Sequence, residues 1–314
     1  MLVQSIPAGP LDVVGDVHGE WAALQELLAL LGYSKDGTHP AGRRLLFLGD
    51  LVDRGPDSLA VFRFVERLVR LEHGYCILGN HELNLLLEKS REGNEWFYGN
   101  AQQLREGGLI PQVLATAEDR AWITERLLTF PLVVEQPGFR AVHACWEPSA
   151  VDRLRRFEGN ALQAFRAGRA PVMEAIRQAG AEMGTVEADI LRQNVNPVTV
   201  LTSGMEERAE EPFWAGGQKR KVRRVKWWNN YVSATTVVFG HYWRALSEDD
   251  RPVKRGPYLF SGVDPMAPLG PHQNAWCVDY SVGYRHVERA RGAGSGMSTA
   301  LAALRFPERE LVFT

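Results

Sequence analysis

The sequence predicts an α/β fold with its functional groups at the carboxyl ends of buried strands, and three observations carry that expectation. Short apolar runs recur at Leu11 to Val14, Leu45 to Leu48 and Tyr75 to Leu78. Each is followed by a glycine and then a residue able to bind metal: Gly15-Asp16, Gly49-Asp50 and Gly79-Asn80. Between the runs lie segments with helical spacing. Apolar runs punctuated in this way read as buried parallel strands. Right-handed β-α-β crossovers then bring the strand ends to one rim, where open α/β sheets carry their sites.

The elements follow in order. Trp21, Leu24, Leu27, Leu28 and Leu31 recur at helical spacing, and Gly32 is a suitable stop. Asp36 to Arg44 is turn-rich. Ser58 is expected to cap a second helix whose Val61, Phe62, Val65, Leu68 and Val69 form one stripe, ending near His73-Gly74. After the third run a helix is expected over Leu83 to Glu88, and Gly93-Asn94 and Gly107-Gly108 break the chain before a helix over 116–128. Leu132 to Glu135 and Phe139 to Val142 flank Gln136-Pro137-Gly138, a hairpin signal.

Residues 150–193 are rich in Ala, Arg, Glu and Leu and read as several short helices, whereas Met205 to Gln218 has little periodicity and reads as a loop. A basic run, Lys219 to Lys226, reads either as a stretch that steers a polyphosphate or as a solvated loop, and Trp227 and Trp228 after it are expected in the core. Thr235 to Phe239 is a strand ending at Gly240-His241. Ala275 to Tyr280 and Leu311 to Thr314 are further strands, with Arg291 to Met297 as a Gly-rich turn between them. The expected organisation is a single domain, 1–314, with 150–226 as a helical and loop insert roofing the site.

Composition narrows the function classes. Lys plus Arg number 36 against 38 Asp plus Glu, so no global field favours nucleic acid or a membrane surface. No stretch approaches the length of an apolar spanning helix, and Met1 to Pro10 lacks the basic head and apolar core of a leader. The three cysteines share no metal-type spacing; Cys76, Cys145 and Cys277 read as packed thiols suited to a reducing cytoplasm.

The strand ends gather Asp16, His18, Asp50, Asn80, His143 and His241. Two carboxylates, one amide oxygen and three imidazoles are generous for one ion and apt for two that share a carboxylate. Mixed nitrogen and oxygen ligation without thiolate points to Mn, Fe, Zn, Ni or Mg, with Mn first. Two such ions, roughly 3.5–4 Å apart, clamp phosphate and acidify a bridging water. Arg54 offers a planar fork for phosphate oxygens. His81, next to a ligand, is placed to give a proton to the leaving oxygen, with Asp53 fixing its tautomer. His39, His73, His272 and His286 read as bystanders in turns or polar contexts.

These residues resemble a known family. GDVHGE at 15–20, GDLVDRGPDS at 49–58 and GNHE at 79–82 are similar to the signature blocks of the phosphoprotein-phosphatase-like metallophosphoesterases. His143 and the FGH at 239–241 resemble the two later histidine blocks. The resemblance implies an αββα sandwich of two mixed sheets, with Asp16, His18 and Asp50 on one ion. It implies Asp50, Asn80, His143 and His241 on the other, with Asp50 bridging, and attack by metal-bound hydroxide. It further implies His81 as proton donor, Asp53 as its partner, and Arg54 and Asn80 on the phosphate.

The chain departs from the eukaryotic protein phosphatases after His143, where Ala144-Cys145-Trp146 stands in place of two glycines. A histidine followed by alanine is more similar to bacterial dinucleoside tetraphosphatases and related small phosphatases. His241-Tyr242-Trp243 and the run Cys277 to Gly283 also differ from the usual endings. A second phosphate arginine is expected at Arg223 or Arg224. The substrate classes implied are nucleotide, dinucleoside polyphosphate or phosphoprotein. The competing reading is a non-catalytic metal-bound module that recognises phosphorylated ligands.

Overall fold

The computed structural model describes residues 1–103, 109–215, 218–251, 258–290, 292 and 298–314. The first half alternates as its apolar pattern requires: β1 (Val3–Ser5), β2 (Leu11–Val14), α1 (Trp21–Leu31), β3 (Arg44–Phe47), α2 (Ser58–Arg70), β4 (Gly74–Cys76) and α3 (Asn80–Leu86). Gly32 ends α1 in the left-handed region at φ +89°, a conformation that suits a residue without Cβ. The cap of α2 is Asp57, not Ser58: the Asp57 carboxylate accepts from the Ala60 amide. The Ser58 hydroxyl is turned inward instead, where it accepts from the Asp53 amide.

Two short strands follow, β5 (Gln102–Gln103) and β6 (Leu109–Ile110), then α4 (Ala117–Leu127) and the hairpin β7 (Val133–Gln136) and β8 (Phe139–Val142). Thr116 and Asp119 form a capping box that fixes the start of α4. The expected break at Gly107-Gly108 lies outside the described residues, as does the turn expected over 291–297 apart from Gly292, which sits at φ +80°.

The segment after β8 is helical as expected: α5 (Pro148–Arg155), α6 (Ala161–Ala167), α7 (Arg169–Gln178), α8 (Val186–Val195) and α9 (Pro197–Ser203). Residues 216–217 lie outside the described ones, but Glu206–Ala215 and most of the basic run are not loop. They are the two strands of a hairpin, β9 (Glu206–Ala215) and β10 (Gln218–Arg224). Glu206 pairs in register with Arg224, and Glu207 with Arg223. The Glu-rich strand has weak β propensity of its own, so opposite charge across the pair supplies what periodicity does not.

The chain closes with β11 (Thr236–Phe239), β12 (Ala275–Cys277), α10 (Arg285–Ala290), β13 (Ala302–Phe306) and β14 (Glu310–Phe313). Both β13 and α10 are additions to the sequence expectation.

One five-stranded sheet has the order β14-β13-β2-β3-β4, with β2, β3 and β4 parallel and β13 antiparallel to β2. The other has the order β1-β7-β8-β11-β12 and is also mixed. Strand alternation assigns the faces. Leu11, Val13, Leu46 and Leu304 meet Val134, Phe139, Ala141, Val238 and Trp276 between the sheets. Val14, Leu45 and Phe47 share a second core with Leu24, Leu27 and Phe62, while Val142, Val237 and Phe239 share it with Trp227, Trp228 and Leu201. The result is a helix-sheet-sheet-helix sandwich. The two tryptophans are buried, as expected.

His286 departs from its expected polar setting. It lies buried in α10, where its Nδ1–H donates to the Gly283 carbonyl at 2.7 Å. Burial, reinforced by the Arg54 charge, lowers its pKa to about 4 from the ordinary 6.5. The folded ring therefore stays neutral, while the unfolded chain takes up a proton near pH 6.5. Its contribution is complete above that pH and drains away as pH falls toward 4, by up to about 3 kcal/mol. His286→Asn, which keeps a donor toward Gly283, is expected to lose less Tm between pH 7 and 4 than the parent protein, as calorimetry at each pH would register.

Candidate metal centre

The rim of the sandwich collects side chains from both sheets. Asp16 and His18 follow β2, Asp50 follows β3, Asn80 opens α3 after β4, and His143 and His241 follow β8 and β11. Asp16, His18, Asp50, His81, His143 and His241 are all buried. The ligand atoms of His18, Asp50 and His81 lie within 4.8 Å of one another, and so do those of Asp50, His143 and His241. Asp50 belongs to both groups. Its Oδ2 stands 3.7 Å from His18 Nε2, and its Oδ1 stands 3.4 Å from His143 Nε2. Asp16 lies beside the first group, with its Oδ2 3.9 Å from His18 Nε2. All six residues singled out as ligands are thus gathered at one place.

The backbone is bent to achieve this. His18, Asp50 and His241 hold φ of +47°, +47° and +73°, and Asp53 and Arg54 hold +76° and +69°. Such conformations cost roughly 1–3 kcal/mol each in side-chain-bearing residues and gather where function demands them. Gly240 serves close approach rather than φ: a Cβ there would overlap Asp16 Oδ1, whose carboxylate accepts from the His241 amide.

The donor set fits a cation. His18 and His143 each spend Nδ1–H on a backbone carbonyl, Val52 and Leu48, which leaves both Nε2 atoms free to accept. The Asn80 Oδ1 sits 3.2 Å from His143 Nε2, and hydrogen-bond logic alone would turn that amide round to offer nitrogen to His143 and His241. Acceptors converging on acceptors are tolerable when positive charge lies between them. Carboxylate crowding says the same: burial and the neighbouring Asp279 push Asp16 well above its ordinary pKa. Burial opposes charge on His143, yet the Asp50 carboxylate holds its pKa up to about 10. A bound cation would take that proton's place.

Beside this cluster stands a second arrangement. His81 Nδ1 lies 2.6 Å from Asp53 Oδ2, and His81 Nε2 lies 3.0 Å from Arg54 Nη2. Arg54 Nη1 reaches to 2.7 Å from His18 Nε2, and its guanidinium lies over the half-buried Trp243 ring at 4.9 Å. Of the two further arginines, Arg223 points away, paired with Glu207 and Glu210. Arg224 reaches the site, donating from Nη1 to the His241 carbonyl at 2.9 Å.

Three residues at the site were not singled out in the sequence. Asp279 follows β12 and accepts from the Trp243 and Ser281 amides. Its signal was present, since Trp276-Cys277-Val278-Asp279 repeats the layout of an apolar run ending in a carboxylate. Trp96 donates from Nε1 to Asp53 Oδ1 at 2.8 Å, a contact that no local spacing announces. Glu82 accepts from the amides of Asp50, Leu51 and Gly79 at 2.8, 2.8 and 3.0 Å, so one side chain braces two site loops. Burial, with Asp50 adding, raises its pKa to about 7. Glu82→Gln leaves one oxygen for those three donors and sets an amide NH₂ against an N–H. It is expected to weaken metal retention by about 10–100-fold, read by titrating a chelator against bound manganese.

The family model of calcineurin-like phosphoesterases matches residues 9–160. A bis(5'-nucleosyl)-tetraphosphatase PrpE [asymmetrical] of Halalkalibacterium halodurans is 51% identical over 73 residues, which cover 22% of this chain and 30% of the relative. The chain thus matches less than a third of the length of that relative. A symmetrical bis(5'-nucleosyl)-tetraphosphatase of Aromatoleum aromaticum is 30% identical over 250 residues, covering 74% of this chain and 82% of the relative. Among solved structures, a cold-active protein-tyrosine phosphatase of a psychrophilic Shewanella aligns over 98% of this chain and 81% of its own, with 14% identity and a TM-score of 0.43. The long match to the Aromatoleum enzyme, together with the match over 9–160, establishes that the chain belongs to the calcineurin-like phosphoesterase family.

Proposed function

We propose that this protein is a phosphoesterase that hydrolyses phosphomonoester or phosphoanhydride bonds at a two-ion centre, with dinucleoside polyphosphates as its substrate class. The observation that carries the reading is Asp50, whose two carboxylate oxygens face separate histidine sets within one buried site. Asp16, His18 and Asp50 would hold one divalent ion, and Asp50, Asn80, His143 and His241 the other. The mixed nitrogen and oxygen set suits Mn²⁺, with Fe, Zn, Ni or Mg as alternatives. When bound, the pair supplies Lewis-acid charge to the phosphoryl oxygens and acidifies water toward neutrality.

The chain's own residues supply the rest. The Arg54 fork binds phosphoryl oxygens and holds them in line, and Asn80 and Arg224 add donors at the same rim. Asp53 fixes Nδ1–H of His81, so Nε2 is the atom that carries a proton to the leaving oxygen. The chain acts as a single domain in which 150–226 roofs the site. One contact supports this: Arg224, at the end of β10, grips the His241 carbonyl. A roofed site suits a small polyphosphate better than a protein loop, and both curated relatives named above are tetraphosphatases.

Among the described residues no helix is long and apolar enough to cross a membrane. The three buried free thiols suit a cytoplasmic setting. Side-by-side turnover of diadenosine tetraphosphate, a phosphoserine peptide and a nucleoside monophosphate with Mn²⁺ tests the reading. The expected order is the tetraphosphate first, with two ADP or AMP plus ATP telling symmetrical from asymmetrical cleavage. Preference for the peptide would overturn the substrate class, and tight binding without turnover would point to the non-catalytic module.

A further inference from the structure

Asp53 is held from two sides. One carboxylate oxygen meets His81 Nδ1 at 2.6 Å, and the other accepts from the Trp96 indole N–H at 2.8 Å. Trp96 is wholly buried in the 3₁₀ turn Glu95–Tyr98. The same stretch of chain supports the next residue, since the Gly93 carbonyl accepts from the Arg54 amide at 2.9 Å. Asp53 and Arg54 are consecutive side-chain-bearing residues that both hold left-handed φ. Segment 93–96 therefore fixes both the orientation of the carboxylate and the strained backbone that presents the guanidinium.

We propose that Trp96 is a positioning residue for proton transfer: its N–H locks the Asp53 carboxylate plane so that the other oxygen holds His81 in its donating orientation. This rests on the reading of His81 as the proton donor. A carboxylate held at one oxygen is free to swing about its last torsion, whereas one held at both is not. Partners of this kind, one step removed from the reacting group, typically matter by about 10–100-fold.

Trp96→Phe keeps an aromatic ring and removes the N–H. Replacement by benzothienylalanine keeps the bicyclic shape as well, and so separates the donor from the packing. With either change, kcat is expected to fall about tenfold for an alkyl phosphate, whose leaving oxygen needs a proton. For 4-nitrophenyl phosphate, whose leaving group departs as the anion, kcat is expected to stay within about twofold. KM should hold for both substrates. Trp96→Phe combined with Asp53→Asn should be no slower than Asp53→Asn alone, because both act through one carboxylate.

Equal losses on both substrates, or losses that multiply in the double variant, would overturn the proposal. His81→Asn keeps the two failures apart. If His81→Asn shows leaving-group dependence and both Trp96 variants turn over alkyl phosphate at the parent rate, only the role of Trp96 falls. If His81→Asn shows no such dependence, the donor reading itself falls.

Discussion

Asp50→Asn is expected to lower kcat by about a thousandfold or more and to reduce bound manganese from two ions per chain toward one. The size follows from position. Among the described residues the Asp50 carboxylate is the group shared by the His18 and His143 sets, and an amide would offer the proposed cations only one oxygen and no charge. Single preorganised groups that stabilise transition-state charge are ordinarily worth about 10²–10³ in rate, and in the proposed reading this one also holds ions. Elemental analysis alongside turnover of 4-nitrophenyl phosphate checks it. Full activity with two bound ions would remove Asp50 from the centre of the mechanism.

The second large effect is expected at His81. His81→Asn should cost about 10²–10⁴ in kcat for alkyl phosphates, the range typical of a lost general acid. Retained metal would separate it from Asp50→Asn. Its ring lies at the edge of the first histidine group, 3.9 Å from Asp50 Oδ2, and its Nδ1 is already engaged with Asp53. Loss of one ion from His81→Asn would mean that the ring serves as a ligand, and the proton would need another source.

Much of this site was legible because strand ends are local. Asp16, Asp50 and Asn80 each follow an apolar run and a glycine, so period and punctuation gave away the first sheet and its rim. His241 announced itself in the same way on the second sheet, and His143 as the residue that ends a hairpin strand, without a glycine. The hairpin at 206–224 was hidden because Glu-rich strands are made by their partner and not by their own pattern. β13 was hidden for the opposite reason. Ala302-Ala303-Leu304 has helix formers, and pairing with β2 on one side and β14 on the other makes it a strand. Trp96 and Glu82 were hidden because their targets lie 43 and 31 or 32 residues away, where no spacing rule reaches. Asp57 displaced Ser58 as a cap by one residue, which sequence signals seldom resolve.

Four of the six gathered residues proposed as ligands come from the sheet of β2, β3 and β4, and two from the sheet of β8 and β11. The seam between the sheets is lined mainly by apolar side chains, and its polar contacts, Gln136 with Gly9 and Arg309 with Thr236, lie at the strand ends away from the site. An ion shared between Asp50 and His241 would therefore rivet one half of the molecule to the other. Stripping the metal would then loosen the whole sandwich at its catalytic end, and inactivation by chelators would be a mechanical event as much as a chemical one.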